Sequence, residues 1–173
     1  MEHKIDKAKQ KEKGHQDKEK GERIMDKTVI TDNAAIINEE ITWLSGILDS
    51  RIKKLEDQTA KTLYFSETPP PDLSQKNSAY ADLVNNYQLN AQERLLLISS
   101  LVPHISPETF TAKIRDEKTE LKIKFPKLGG YFDTTFTNFV PTLQTIVFLL
   151  AGDDMSAMLY NHLFLIEKSI LIK

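Results

Sequence analysis

The feature that most constrains the fold is the segment Asn90–His104, NAQERLLLISSLVPH. Asn90 is a favourable helix N-cap, and Glu93, three residues later, can complete a capping box with it. Apolar residues then cover nearly the whole circumference of one helix: Leu95, Leu96, Leu97, Ile98, Leu101 and Val102. A helix that is apolar on all sides belongs inside a domain, and this segment is too short to cross a bilayer. We therefore predict a buried helix that ends at Pro103, because proline has no amide hydrogen to donate.

Two further helices are predicted to pack around this one. The first runs from about Asn33 to Gln58, with Asp32 or Asn33 as its cap. Its apolar stripe recurs at helical spacing and consists of Ile37, Ile41, Leu44, Leu48, Ile52 and Leu55. The second follows Val140, in the sequence PTLQTIVFLLAG, where Thr142 can cap the helix and Gly152 can end it. The predicted fold class is therefore mainly α, a compact helical bundle with a small β element.

Two shorter helices are predicted from their capping residues. Ser78 and Ser106 are each predicted to begin a short helix. The side chains on one face of the first are Tyr80, Leu83, Val84 and Tyr87, and the second turns Phe110 and Ile114 inward.

The predicted β element lies at Leu121–Phe125, where apolar residues alternate with lysines. The segment Gly129–Phe139 is predicted to be irregular and packed on the core. A last amphipathic segment runs from about Asp154 to Leu165, and Ser169–Ile172 is predicted to begin a strand. Because the chain stops inside that apolar run, we expect it to be truncated at its C-terminus.

Composition limits the classes of function. The formal net charge of −2 gives no overall attraction to nucleic acid or to an anionic membrane. The first residues, MEHKIDKAKQKEK, are too charged for a signal peptide, and no apolar run is long enough to span a membrane. We therefore predict a cytoplasmic protein. Residues 1–31 are predicted to be a charged, disordered tail, and residues 32–173 to be the helical domain.

No pattern of catalytic or metal-binding residues stands out. The chain has no cysteine, and its four histidines are too scattered to predict a metal site. The motifs GxSxG, GxxxxGK[ST] and GxGxxG do not occur. We predict no catalytic residue, no cofactor and no metal in this chain, which is therefore not expected to be an enzyme.

Two loops are predicted to be surfaces for a protein partner. Residues Leu63–Asn77 hold a short apolar cluster followed by three prolines, which impose an extended path. Residues Gly129–Phe139 are rich in aromatic side chains. The residues predicted to contact the partner are Tyr64, Phe65, Pro70, Asp72, Tyr131 and Phe132.

DNA binding is the alternative function. A strip of cations in a helical domain with a β element could belong to a winged-helix DNA-binding module, and these cations are Lys113, Arg115, Lys122, Lys124 and Lys127. Acidic residues at Asp116, Glu117 and Glu120 interrupt the strip. Neither buried helix has the polar face of a recognition helix, so a solvated charged loop is the favoured interpretation.

Several segments, taken in order, resemble a known family. They are ITWLSGILDSRI, LYFSETPPPDLSQKNSAYADLV, LNAQERLLLISSLVPHISPETF, LGGYFDTTFTNFVPTLQTIVFLLAGDD and LYNHLF. Together they resemble the N-terminal winged-helix-like domain of bacterial AAA+ ATPases, well known in Bacteroidetes, some of which are associated with contractile injection systems. The resemblance covers roughly Ile36 to the C-terminus. The family often has glycine and glutamate after its "PT" pair, where this chain has Leu143 and Gln144.

The resemblance implies a non-catalytic front domain of an AAA+ motor. No Walker motif occurs in this chain, so ATP and Mg²⁺ are expected only in a downstream ATPase core. The implied partner is a protein or the AAA+ core itself, with homo-oligomerisation possible through the parent ring. Nucleic acid is the less favoured partner, and no membrane partner is expected.

Overall fold

The computed structural model describes residues 27–61, 63–115, 124–135 and 137–171. The predicted tail up to residue 26 and the predicted strand residues 121–123 lie outside the described residues. Within them the fold is mainly helical, with six α-helices and one two-stranded antiparallel sheet. The predicted fold class is thereby confirmed.

The helices and strands are named in chain order. They are α1 (Lys27–Glu56), α2 (Ala79–Asn86), α3 (Ala91–Ile105), α4 (Glu108–Ile114), β1 (Tyr131–Phe132), β2 (Phe139–Val140), α5 (Leu143–Ala151) and α6 (Met155–Glu167). Two single 3₁₀ turns lie at Phe65–Glu67 and Pro126–Leu128. None of the described helices is both long enough and apolar enough to cross a membrane.

Helix α3 begins with the predicted capping box. The Asn90 side chain accepts from the Glu93 amide at 3.0 Å, and the Glu93 carboxylate accepts from the Asn90 amide at 3.1 Å. The predicted end at Pro103 is wrong, because the helix continues to Ile105. Proline removes one hydrogen bond, but the Ser106 amide still donates to the Val102 carbonyl at 2.9 Å and closes the last turn.

This cap gives a direct test of the start of α3. Asn90→Ala is expected to lower the free energy of unfolding by about 1 kcal/mol, because the Glu93 amide loses its acceptor. Urea unfolding followed by circular dichroism measures the change, and Asn77→Ala, at an exposed position outside any helix, is the control. Equal stabilities of the two variants would contradict the capping role.

Helix α3 separates two groups of buried side chains. Leu95, Ile98 and Val102 are 0% exposed and belong to the larger core, which also contains side chains of α1, α4, α5 and β2. On its other side, Leu97 and Leu101 pack against a smaller cluster. That cluster consists of Ile36, Leu73, Tyr80, Ala81, Val84 and Leu89. Helix α3 therefore contacts both groups of buried side chains, as expected for a helix at the centre of the domain.

Helix α1 begins earlier than predicted, at Lys27. Neither Asp32 nor Asn33 is therefore its cap, because both lie inside the helix. The Asn33 side chain instead accepts from the Tyr80 amide at 3.0 Å, at the start of α2. The predicted stripe does face the core, with Leu44 and Leu48 completely buried.

Helix α2 begins at its predicted cap, Ser78, whereas the predicted cap of α4 is wrong: its N-cap is Pro107 rather than Ser106. The Ser78 hydroxyl accepts from the Ala81 amide and begins α2. Of the predicted apolar face of α2, however, Leu83 and Tyr87 are exposed, and Ala81 is buried instead. In α4, the predicted inward side chains Phe110 and Ile114 are fully buried.

The segment predicted to be irregular contains the two strands. Tyr131 pairs with Val140, and Phe132 with Phe139. Gly130, at φ 81°, lies so close to the Phe139 ring that a Cβ atom would overlap it. These two-residue strands have too few residues to show an alternating pattern, which is why the sequence predicts a loop.

Helix α5 starts after the second strand, at Leu143, one residue after the predicted cap Thr142. Thr142 is the predicted N-cap residue. Its amide donates to the Thr145 hydroxyl at 3.0 Å, and its own hydroxyl accepts from the Gly130 amide at 3.2 Å. Gly152, at φ 64°, ends the helix as predicted.

The predicted strand start at Ser169–Ile172 is wrong for the described residues. Helix α6 extends to Glu167, and the chain then turns. The Ser169 amide donates to the Phe164 carbonyl at 3.1 Å, and the Ile170 amide donates to the Glu93 carboxylate at 2.9 Å. These bonds hold the end of the described chain against the start of α3.

Candidate functional site

A groove lies between the C-terminal half of α1, the segment that follows it, and the α5–α6 junction. Its cavity volume is about 560 Å³. Leu55 and Phe148 give it an apolar lining, and Leu63 and Tyr64 stand at its edge with exposed side chains. This combination of an apolar hollow and exposed apolar side chains is typical of a docking site.

Arg51 forms the buried wall of the groove. Its Nε donates to the Leu149 carbonyl at 2.9 Å, and its Nη2 donates to the Leu150 carbonyl at 3.1 Å. Its Nη1 donates to the Leu63 carbonyl at 3.2 Å. Arg51 therefore provides donors for the last carbonyl groups of α5 and ties the segment at Leu63 to that helix end. Burial lowers the pKa of this guanidinium, and nearby Asp153 opposes the shift.

The rim of the groove carries charges of both signs. Lys54 donates to the carbonyls of Gln58 and, at 3.2 Å, Ala60, which holds the turn after α1. Lys61 lines the same side and is exposed. At the other end lie Asp153, paired with Lys127 at 2.9 Å, and Asp154, the N-cap of α6. The α1 side is thus cationic, whereas the two carboxylates at the α6 end are engaged within the chain, with Lys127 and with the Ala157 amide.

Two of the predicted partner-contacting residues lie in this groove. Tyr64 is 73% exposed, and its amide donates to the Glu67 carboxylate at 2.8 Å. Phe65 is half-buried against Trp43, with ring centroids 6.1 Å apart. Trp43 in turn donates its indole N–H to the Thr68 carbonyl at 2.7 Å. The backbone here is held in place, so that the Tyr64 ring projects from a fixed position.

Pro70 and Asp72 lie elsewhere, beside a second hollow of about 530 Å³. Pro70 is half-buried. Asp72 is exposed and accepts from the Ser74 amide at 2.9 Å, and hydrogen bonds from Ser74 lower the pKa of its carboxyl group. The structure therefore does not bring these two residues together with Tyr64 in one pocket.

Tyr131 and Phe132 occupy the hairpin and point to different environments. Tyr131 is 54% exposed, whereas Phe132 is only 8% exposed. The Phe132 ring meets the Phe139 ring edge-on, at 5.7 Å between centroids. Phe132 is therefore a core residue, and only Tyr131 presents a surface.

Each described cation of the strip proposed for DNA binding forms an ion pair or a hydrogen bond within this chain. Lys122 lies outside the described residues. The other contacts are Lys113 with Asp49, Lys124 with Glu56, Lys127 with Asp153, and Arg115 with the Thr137 carbonyl. The Arg115 guanidinium also lies over the Phe132 ring, 5.7 Å from its centroid.

A buried charged pair, which the sequence patterns do not predict, joins α1 to α3. Glu40 is 0% exposed and pairs with Arg94, which also donates to the Pro71 carbonyl at 2.8 Å. The Tyr80 hydroxyl donates to Glu40 at 3.3 Å. Burial raises the pKa of Glu40 although Arg94 opposes the shift, and burial also raises the pKa of Tyr80.

One sequence signal could have identified both buried charges of α1. Glu40 lies four residues after Ile36 and four before Leu44, and Arg51 lies three residues after Leu48. Each therefore occupies a core-facing position of the apolar stripe. A charged residue at such a position needs a buried partner.

Among the described residues, no three His, Asp or Glu side chains are grouped so that they could hold a metal ion. A scan against protein-family models, a search of curated proteins and a search of solved structures found no match to the chain.

Proposed function

We propose that this chain is a non-catalytic protein-interaction domain that docks partner or substrate proteins onto an AAA+ ATPase ring. The groove beside Tyr64 is the observation that carries the proposal, because it joins a cavity of about 560 Å³ to exposed apolar side chains. The ordered sequence resemblance from Ile36 onward supports the link to an AAA+ motor. In this proposal the domain is winged-helix-like and cytoplasmic, and ATP and Mg²⁺ bind only to the ATPase core.

The chemistry of the groove indicates what kind of segment it accepts. Its apolar lining, with Leu55 and Phe148, suits one large apolar side chain as an anchor. Lys54 and Lys61 on the α1 side favour acidic residues next to that anchor. We therefore propose a partner segment in which an aromatic or aliphatic residue is flanked by carboxylates.

Fluorescent peptides of defined composition test this proposal. One peptide carries a central phenylalanine between glutamates, and the other carries the same phenylalanine between lysines. We expect the acidic peptide to bind in a fluorescence anisotropy titration and the basic peptide to bind much more weakly. Tyr64→Ala should weaken the acidic peptide by about 10- to 30-fold, since a central exposed aromatic residue carries much of the energy of such a contact.

Tyr87→Ala is the matched control, because Tyr87, directly after α2, is an exposed tyrosine at 65% exposure. It should leave peptide binding unchanged. Equal binding of the two peptides, or equal effects of the two tyrosine variants, would overturn the assignment of the groove. Binding of DNA instead, with a steep loss of affinity as salt rises, would favour the alternative function.

The link to an AAA+ motor has a separate test. The reading frame beyond Lys173 is expected to encode a phosphate-binding loop of the form GxxxxGK[ST]. A stop codon at that position, with no AAA+ ATPase that copurifies with the chain, would contradict this part of the proposal while leaving the groove assignment open to its own test.

A further inference from the structure

Residues 70–89, which include α2, pack beside the domain without entering its larger core. The smaller cluster of buried side chains consists of Ile36 of α1 and, from this segment, Leu73, Tyr80, Ala81, Val84 and Leu89. Among the described residues, the larger core takes no side chain from the segment. A satellite cluster of this kind can separate from a domain while the main core keeps its packing.

Hydrogen bonds inside the segment hold it together. The Asn85 side chain donates to the Leu73 carbonyl at 3.0 Å, which joins α2 to the turn that precedes it. In that turn the Lys76 amide donates to the Leu73 carbonyl at 3.2 Å, and beyond α2 the Leu89 amide donates to the Val84 carbonyl at 2.9 Å. Because both partners of each bond belong to the segment, these bonds do not have to break when the segment moves away from the domain.

Tyr80 and Pro71 connect the segment to α1 and α3 through hydrogen bonds. The Tyr80 amide donates to the Asn33 side chain at 3.0 Å, and the Tyr80 hydroxyl donates to the Glu40 carboxylate at 3.3 Å. The Pro71 carbonyl accepts from the Arg94 guanidinium at 2.8 Å. The segment therefore lies over the buried Glu40–Arg94 pair and contributes a hydrogen-bond partner to each of its two charges.

Two features of the closed arrangement lower the free-energy cost of opening it. Water would return to Glu40 and Arg94, and the hydration of two buried charges offsets part of the apolar contact that is lost. Gln88 has a φ of 50°, a left-handed conformation that is unfavourable for a residue other than glycine, and opening would release it. The ion pair of Lys76 with Glu39 adds little to the closed arrangement, because it is exposed.

We propose that residues 70–89 form a flap that opens as one unit while the rest of the described domain stays folded. Opening uncovers Leu97 and Leu101 of α3, which pack against the smaller cluster when the flap is closed. It also moves Pro70 and Asp72, two of the residues predicted from the sequence to contact a partner. The flap does not include the groove beside Tyr64, so this inference does not depend on the proposed function.

Native-state amide hydrogen exchange of the 173-residue chain, measured by NMR at low urea concentrations, tests the proposal. The amides to compare are those of Asp82, Tyr87 and Leu89 in the flap and those of Leu149 and Leu150 in α5. We expect the three flap amides to share one opening equilibrium constant, at least about 10-fold larger than that of the α5 amides. The exchange of the flap amides should also rise less steeply with urea, because opening the flap exposes less surface than global unfolding.

Two mild core substitutions separate the flap from the rest of the fold. Ile146→Val, in the larger core, should accelerate the α5 amides about 5-fold and leave the flap amides unchanged, because the Ile146 contacts persist while the flap is open. Val84→Ala, in the smaller cluster, should accelerate all three flap amides by the same factor, about 10-fold.

Equal urea dependence of the flap and α5 amides would overturn the proposal, because it indicates a single cooperative unit. Flap amides that accelerate with Ile146→Val as much as the α5 amides do would overturn it for the same reason. Flap amides that respond unequally to Val84→Ala would show that α2 frays residue by residue, which would overturn the concerted opening.

Discussion

Glu40→Ala is expected to lower the free energy of unfolding by about 3–5 kcal/mol, because it leaves the Arg94 guanidinium buried without its carboxylate. Glu40 is 0% exposed and Arg94 is 7% exposed, so water does not replace the lost partner. The Tyr80 hydroxyl also loses its acceptor. The change would loosen two of the contacts that hold α2 and α3 against the first half of α1.

Urea unfolding, followed by circular dichroism, measures this effect. The control is Glu39→Ala, one residue away, because Glu39 makes an exposed pair with Lys76 that is worth about 1 kcal/mol at most. The double variant Glu40→Leu with Arg94→Met should recover part of the loss, since apolar side chains avoid the desolvation of both charges. It should stay below the unchanged protein in stability, because the Tyr80 hydroxyl and the Pro71 carbonyl lose their partners. A loss below about 1 kcal/mol in Glu40→Ala would contradict the buried pair.

Arg51→Ala is expected to lower the free energy of unfolding by about 3 kcal/mol or more, since hydrogen bonds from a charged donor are worth about 1.5–3 kcal/mol each. Its guanidinium donates to the carbonyls of Leu149, Leu150 and Leu63. The first two belong to the last turn of α5, whose carbonyl groups have no partner within the helix. The loss would therefore detach the segment that carries Tyr64 from the helix end.

Arg51→Lys is the informative second variant. It keeps the charge, but one ammonium group cannot reproduce the three separate donors of the guanidinium. We expect it to recover less than half of the stability that Arg51→Ala loses. Lys53→Ala, at an exposed position two residues away, should change stability by no more than about 0.5 kcal/mol. Equal stability of the Arg51 and Lys53 variants in urea unfolding would show that the guanidinium does not hold the end of α5.

The parts of the fold that local chemistry determines could be predicted from the sequence. The Asn90–Glu93 capping box and the glycine stop at Gly152 need only residues a few positions apart, and both are present. The apolar stripe of α1 likewise follows from spacing alone. Helix content and the position of the central helix were therefore within reach of the sequence.

The parts that depend on distant partners could not be predicted in this way. Asn33 looks like a helix cap in the sequence, but its side chain accepts a hydrogen bond from the Tyr80 amide of α2 at 3.0 Å. Glu40 and Arg51 look like solvated charges because their partners lie on other elements. Phe132 looks like a surface aromatic residue, but a two-residue strand turns it into the core.

For the candidate site, the sequence located the segment and not the pocket. The predicted apolar cluster contains the exposed Tyr64 and the half-buried Phe65. The opposite wall of the groove, however, comes from Phe148 and the α5–α6 junction, far along the chain. Only the packing of α5 against α1 creates the cavity that gives Tyr64 a candidate role.

Amide NMR of the isotope-labelled chain, during titration with the acidic phenylalanine peptide, tests whether the groove is the docking site. We expect the shifted amide signals to cluster at the groove, around Lys61, Leu63, Tyr64 and Ala157, and Tyr64→Ala to abolish these shifts. Shifts that are absent, or that cluster on the outer face of α6 or on the Lys113–Lys127 side instead, would contradict the groove as the docking site.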